Sequence, residues 1–208
     1  MNHNSQENFT LFRGFFKMNF VKFIPFLIRQ AKQSLSEQYS LFRLAEKYPT
    51  CHFEREVQIK SAERLTLGKN VLIQKNTIFH CGGMGWTNHG GYIEIGDDSC
   101  ISPHCIFYGT GGIKIGKGFD CGPGVMIFSS RTDYNSEQRG KNIRHLFKEV
   151  IIGDNVTLFA NVVVDIGVQI GNGAVVGAGS VVLSDIPAGE IWAGAPARMI
   201  RKIEGNNK

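Results

Sequence analysis

The run Val150–Val182, VIIGDNVTLFANVVVDIGVQIGNGAVVGAGSVV, decides the fold. Within it Ile152, Leu158, Val164, Ile170, Val176 and Val182 recur every six residues. A second track, Val150, Val156, Val162, Val168 and Ala174, keeps the same interval two positions earlier. A helix repeats at about 3.6 residues and a lone strand at about two, so neither sustains this period. Gly153, Gly171 and Gly177 follow the main track, with Asn155, Asn161 and Asn172 close by. Those residue types tolerate the left-handed backbone of a tight corner. The pattern predicts an all-β solenoid with three flat sides per coil. Its coils stack at about 4.8 Å, the spacing of paired strands, and the aliphatic track points inward.

Upstream, the same period begins near Val57 and continues through Leu67, Ile73 and Phe79. It stops over residues 81–92, CGGMGWTNHGGY, and resumes at Ile95, Ile101 and Phe107. A short insertion with Gly109, Gly111 and Gly112 precedes Ile115, Cys121 and Ile127, and a second interruption covers residues 129–149. Three hexads per coil put Phe79, Phe107 and Ile127 on one side of the prism. Both excursions therefore leave the same side, two coils or about 10 Å apart. Between them, Gly109-Thr110-Gly111-Gly112 reads as the bare floor of a pocket walled by two loops, and loops on a rigid scaffold commonly carry function.

Residues 1–56 differ in kind. Phe9, Phe12, Phe15, Phe16, Phe20, Phe23 and Phe26 are interleaved with Arg13, Lys17, Lys22 and Arg29. The expectation is helical segments interrupted at Pro25, with a second helix over residues 34–47 ending before Pro49. Such an extension can lie on a membrane surface, cap a solenoid end or pack against a partner subunit. The predicted organisation is a helical extension at 1–56, the repeat at 57–191 and a tail at 192–208.

Composition narrows the partners. The 208 residues carry a net charge of +5, but the basic residues are dispersed, which argues against nucleic acid and suits a phosphate-bearing small molecule. The five cysteines form no CxxC pair, and Cys105 and Cys121 fall on inward tracks as small core residues. An odd count without a secretory signal predicts reduced thiols and a cytoplasmic location, at the inner membrane face if the extension docks there. No apolar run approaches the roughly 20 residues of a membrane span. The six histidines include no closely spaced pair on a coil, so no metal is expected.

The hexads, followed by IPAGEIWAGAPARMIRKI at residues 186–203, resemble the hexapeptide-repeat acyltransferases. The likeness covers roughly residues 57–203. It points to the branch that holds galactoside and maltose acetyltransferases and the O-acetyltransferases of bacterial surface polysaccharides. This resemblance implies a left-handed parallel β-helix, a homotrimer, and acetyl-CoA in clefts between neighbouring prisms. Small residues at matching corners are what the long arm of coenzyme A needs, and Ala160, Gly177 and Ala178 supply them. Arg198, Arg201 and Lys202 offer cations for its phosphates.

The resemblance also implies a catalytic histidine at the start of the long loop, five residues after the inward aliphatic. Counting from Ile127, that slot holds Thr132. Threonine is no base near neutral pH, so three other residues are candidates. Asp133 adjoins the slot, His145 lies later in the same loop, and His89 lies in the facing one. Trp86 and Tyr134 are candidates for stacking on a sugar ring, and Asn88 and Thr132 for contact with its hydroxyls. The expected function is O-acetyl transfer from acetyl-CoA to a saccharide, in surface polysaccharide synthesis. The alternative is a catalytically inactive trimeric scaffold that binds saccharide or coenzyme A.

Overall fold

The computed structural model describes residues 20–82, 90–138, 140 and 144–203. The first coil comprises β1 (His52–Phe53), β2 (Gln58–Lys60) and β3 (Leu65–Leu67). The second holds β4 (Leu72–Ile73), β5 (Ile78–His80) and β6 (Ile93–Ile95), and the third β7 (Cys100–Ile101), β8 (Ile106–Tyr108) and β9 (Ile113–Ile115). In the fourth, β10 (Asp120–Cys121) and β11 (Met126–Phe128) are followed by a hairpin, β12 (Ser130–Thr132) and β13 (His145–Phe147), before β14 (Val150–Ile152). The fifth is β15 (Thr157–Leu158), β16 (Val163–Val164) and β17 (Gln169–Ile170). β18 (Val175–Val176), β19 (Val181–Val182) and a bridge at Ile186 make the sixth. β20 (Glu190–Gly194) and β21 (Ala197–Lys202) follow.

Successive strands visit three sheets in turn, and every pairing within the coils is parallel. The first sheet is β1-β4-β7-β10-β15-β18-β20, closed by antiparallel β21. The second is β2-β5-β8-β11-β16-β19 and the third β3-β6-β9-β14-β17. Register puts Phe79 opposite Phe107 and Phe107 opposite Ile127, as the hexad count requires. The Phe79 and Phe107 rings stack at 4.9 Å inside the prism. Hexad residues such as Ile73, Ile101, Ile152 and Leu158 are buried, each stabilising the stack by about 1.5–3 kcal/mol relative to exposure. Cys105 and Cys121 are likewise buried inside.

The corner glycines divide into two kinds. Asn155 and Asn161 take the positive φ expected of them, and Gly173 and Gly179 share that conformation at later corners. Gly153 and Gly171 do not. A Cβ on Gly153 would come within 2.8 Å of the Asn172 main-chain nitrogen, and one on Gly171 within 2.4 Å of the Ala188 nitrogen. These glycines let successive coils approach; they do not make the turn.

At the other end, α1 (Phe20–Lys47) is one continuous helix with Pro25 inside it. The expected interruption at Pro25 is absent: its ring removes one backbone bond, to the Val21 carbonyl, and the helix runs on through it. The chain divides into compact units at Ser40/Leu41. In the first, Ile24, Leu27, Ile28, Leu35 and Tyr39 are all about half exposed or more. In the second, Leu44 is buried in the core, Leu41 packs beside it, and Tyr48 Oη donates to the Leu65 carbonyl at 2.8 Å. The first rung thus starts at His52, one side earlier than the hexads announce.

Candidate active site

Both excursions leave the second sheet at the same edge, after β5 and after β11, with β8 between them. The second excursion is an antiparallel hairpin whose register sets Thr132 directly across from His145. Asp133 N–H donates to the Arg144 carbonyl at 2.8 Å, and Lys148 N–H to the Ser129 carbonyl at 2.9 Å. Hydrogen-bonded pairs alternate along such a ladder, so Thr132–His145 is a non-hydrogen-bonded pair, the kind whose side chains lie closest. The half-buried His145 ring lies 6.4 Å from that of Phe147. The long loop therefore returns an imidazole to the slot that Thr132 leaves without one.

Three attachments orient the hairpin. Ser130 Oγ bonds Thr110 Oγ1 in the third coil, and both groups are buried. Arg131 Nη1 meets Asp165 Oδ2 of the fifth coil at 2.7 Å. Alternation then puts Ser130, Thr132, His145 and Phe147 on the face toward the third coil. At the hairpin's exit, Tyr92 Oη donates to Glu149 Oε1, joining the feet of the two excursions. That bond, with burial behind it, pushes the Tyr92 hydroxyl up to about 12.

Asp133 has a different occupation. Its Oδ2 accepts from Arg144 Nε at 2.7 Å and from Arg144 Nη2, while Oδ1 accepts the Asn135 N–H at 3.1 Å. The Arg144 guanidinium holds this carboxyl below the usual carboxylate range, with the Asn135 bond adding to the effect. The group closes the hairpin turn. Tyr134 beside it is 71% exposed. Trp86, Asn88 and His89 lie outside the described residues.

The glycine turn is not the bare floor that the sequence promised. Gly109, Thr110 and Gly112 are buried. A Cβ on Gly111 would lie 2.2 Å from the Ser129 carbonyl oxygen, and one on Gly112, with φ of +95°, 2.9 Å from the Tyr92 ring. These residues are small because the excursions' feet cross over them. The outward edge column of the second sheet carries His80, Tyr108 and Phe128 instead, with ring centroids 4.7 Å and 6.3 Å apart. Sequence reasoning passed over this column, although each member directly follows an inward residue on the side of the excursions.

A second feature lies at the corner between the first and second sheets. Register aligns Ala160 with Ala178 and, one rung on, with Gly194. Gly179 N–H donates to the Ala160 carbonyl at 2.9 Å, and Ser180 Oγ ties the Gly177 carbonyl to the Gly194 N–H. A lane of small residues results. β21 folds back beside it, placing Arg198 next to Ala193 and Arg201 next to Ile191. Arg198, Arg201 and Lys202 are all exposed.

Comparison with known proteins agrees with this architecture. Residues 149–184 match the family described as the hexapeptide repeat of succinyl-transferase. A Schizosaccharomyces pombe relative is 34% identical over 117 residues, 56% of this chain, and the match spans only 56% of that protein's length. The galactoside O-acetyltransferase of Escherichia coli is 28% identical over 81% of this chain and 78% of its own. AntD, an N-acyltransferase from Bacillus cereus solved in complex with dTDP and 3-hydroxybutyryl-CoA, superposes with a TM-score of 0.66. That match has 20% identity and covers 80% of this chain and 88% of AntD, a likeness of fold.

Proposed function

The chain is a hexapeptide-repeat protein, and on that premise we propose that it transfers an acetyl group from acetyl-CoA to a saccharide hydroxyl. The observation that carries this reading is the cross-strand pairing of His145 with Thr132. His145 accepts the proton of the acceptor hydroxyl as its oxygen attacks the thioester carbonyl. The tetrahedral adduct then collapses, the carbon–sulfur bond breaks, and the imidazolium returns the proton to the departing thiolate. Asp133 is the poorer base because its charge is already committed to Arg144. The coenzyme arm follows the lane of Ala160, Gly177 and Ala178, and Arg198, Arg201 and Lys202 meet its phosphates. A lipid- or nucleotide-linked sugar of a surface polysaccharide precursor is the acceptor class that fits the family branch.

Assembly completes the site in this reading. Ile78, Ile106, Met126, Val163 and Val181 form the other outward column of the second sheet and give it an apolar face. The third sheet presents Thr66, Glu94, Lys114, Ile151 and Gln169 instead. Three left-handed prisms that turn their second sheets to a common axis bring the corner lane of one against the hairpin edge of the next. Donor and base then come from different subunits.

His145→Gln tests the assignment. Removing a general base should lower kcat by about 10²–10⁴-fold with little change in coenzyme A affinity. Full activity in His145→Gln would refute the role, and absence of turnover by the wild type on any saccharide would favour a binding protein.

A further inference from the structure

We infer that α1 docks its first five turns on an anionic phospholipid surface. The helix lies flat: no described helix is long and apolar enough to cross a membrane. At about 100° per residue, Ile24, Leu27, Ile28, Ala31, Leu35 and Tyr39 fall within an arc of about 120°. This is a full amphipathic face, yet Leu35 and Tyr39 are 66% and 60% exposed and Ile24 and Ile28 about half. An apolar stripe left open over four turns needs an occupant.

Charge identifies that occupant. From Phe9 to Ser36 the sequence holds Arg13, Lys17, Lys22, Arg29 and Lys32 and no Asp or Glu. The chain has 23 Lys and Arg against 18 Asp and Glu. Taking away those five cations leaves eighteen of each sign, so the whole net charge of +5 resides in this segment. Arg29 and Lys32 lie on one flank of the stripe, about 80–140° from Ile24. From there their methylene stems can rest on the apolar boundary while the cations reach phosphate. A seam between two copies of the helix would bring these like charges together, whereas anionic headgroups neutralise them. Phenylalanines at positions 9, 12, 15, 16, 20 and 23 continue the same aromatic and cationic composition toward the N-terminus.

The test uses the full chain and vesicles of phosphatidylcholine with or without phosphatidylglycerol. Cosedimentation should require phosphatidylglycerol and weaken steeply with salt. Ile28→Glu/Leu35→Glu and, separately, Arg29→Ser/Lys32→Ser should each reduce binding at least about tenfold. The thermal midpoint of the β-structure should stay unchanged, since these side chains are outside the core. Two outcomes overturn the inference: no sedimentation of the wild type on anionic vesicles, or undiminished binding by both variants. A third does so as well. If Ile28→Glu/Leu35→Glu lowers the assembly mass in lipid-free light scattering, the stripe is a contact between copies of the chain.

Discussion

His80 and Asp133 are both almost removed from water, 4% and 3% exposed, but their surroundings treat charge oppositely. Asp133 is fully supplied with donors, by Arg144 and the Asn135 N–H. His80 has no hydrogen-bond partner for either ring nitrogen and is stacked on Tyr108. Burial, and then the nearby Lys60 charge, push its imidazolium below the ordinary histidine range. The unfolded chain therefore binds this proton more readily than the folded one. Stability attributable to His80 is complete above the ordinary histidine value and is lost as pH falls toward the depressed one. Asp133 works in the same direction further into acid, since its stabilising charge disappears when the carboxylate is protonated. His80→Phe keeps the stack and removes the orphaned nitrogens. We expect it to gain about 1–3 kcal/mol in urea unfolding near pH 5 and to flatten the acid side of the stability profile. A variant with the wild-type slope would show that His80 is not titrating.

At the scale of elements, the corner lane and the hairpin make separable demands. Ala178→Tyr should close the lane and abolish coenzyme A binding in calorimetry. Its thermal midpoint should move by only a few degrees, because Ala178 is exposed and its Cβ supports no core contact. Unchanged affinity would place the coenzyme elsewhere. The lane was legible in the sequence because the hexad period fixes which residues share a corner: Ala160 and Ala178 are eighteen residues, three hexads, apart. The empty slot at Thr132 was legible by the same count. That His145, one of three candidates named for it, is the residue paired with Thr132 was not. Its position follows from an antiparallel register set by the Asp133–Arg144 turn, and no period connects residues across such a turn. The glycine turn misled for a related reason. A small residue at a surface corner means either an open floor or a chain crossing overhead, and only the path of Ser129 and Tyr92 distinguishes them. Pro25 was read as a break because a proline inside a helix costs a backbone hydrogen bond, yet α1 runs through it.

For the whole molecule, the proposed site requires edges from two prisms, so light scattering should give about three times the 23.1 kDa chain mass. A stable monomer at micromolar concentration would leave the Ala160–Ala178 lane without a facing hairpin and contradict the shared site. The coils themselves touch only their neighbours along the stack, from β1 at one end to β20 at the other. In a linear array of this kind, opening starts at the termini and travels inward, so protection against hydrogen exchange is graded along the axis. Amides of the first rung should exchange ahead of those in β8 and β11, which have a strand on either side. The hairpin is rooted in the fourth coil and braced to the third and the fifth. Its foundations therefore lie among the last rows to breathe. Fraying at either end can proceed many times over while Thr132 and His145 remain in register.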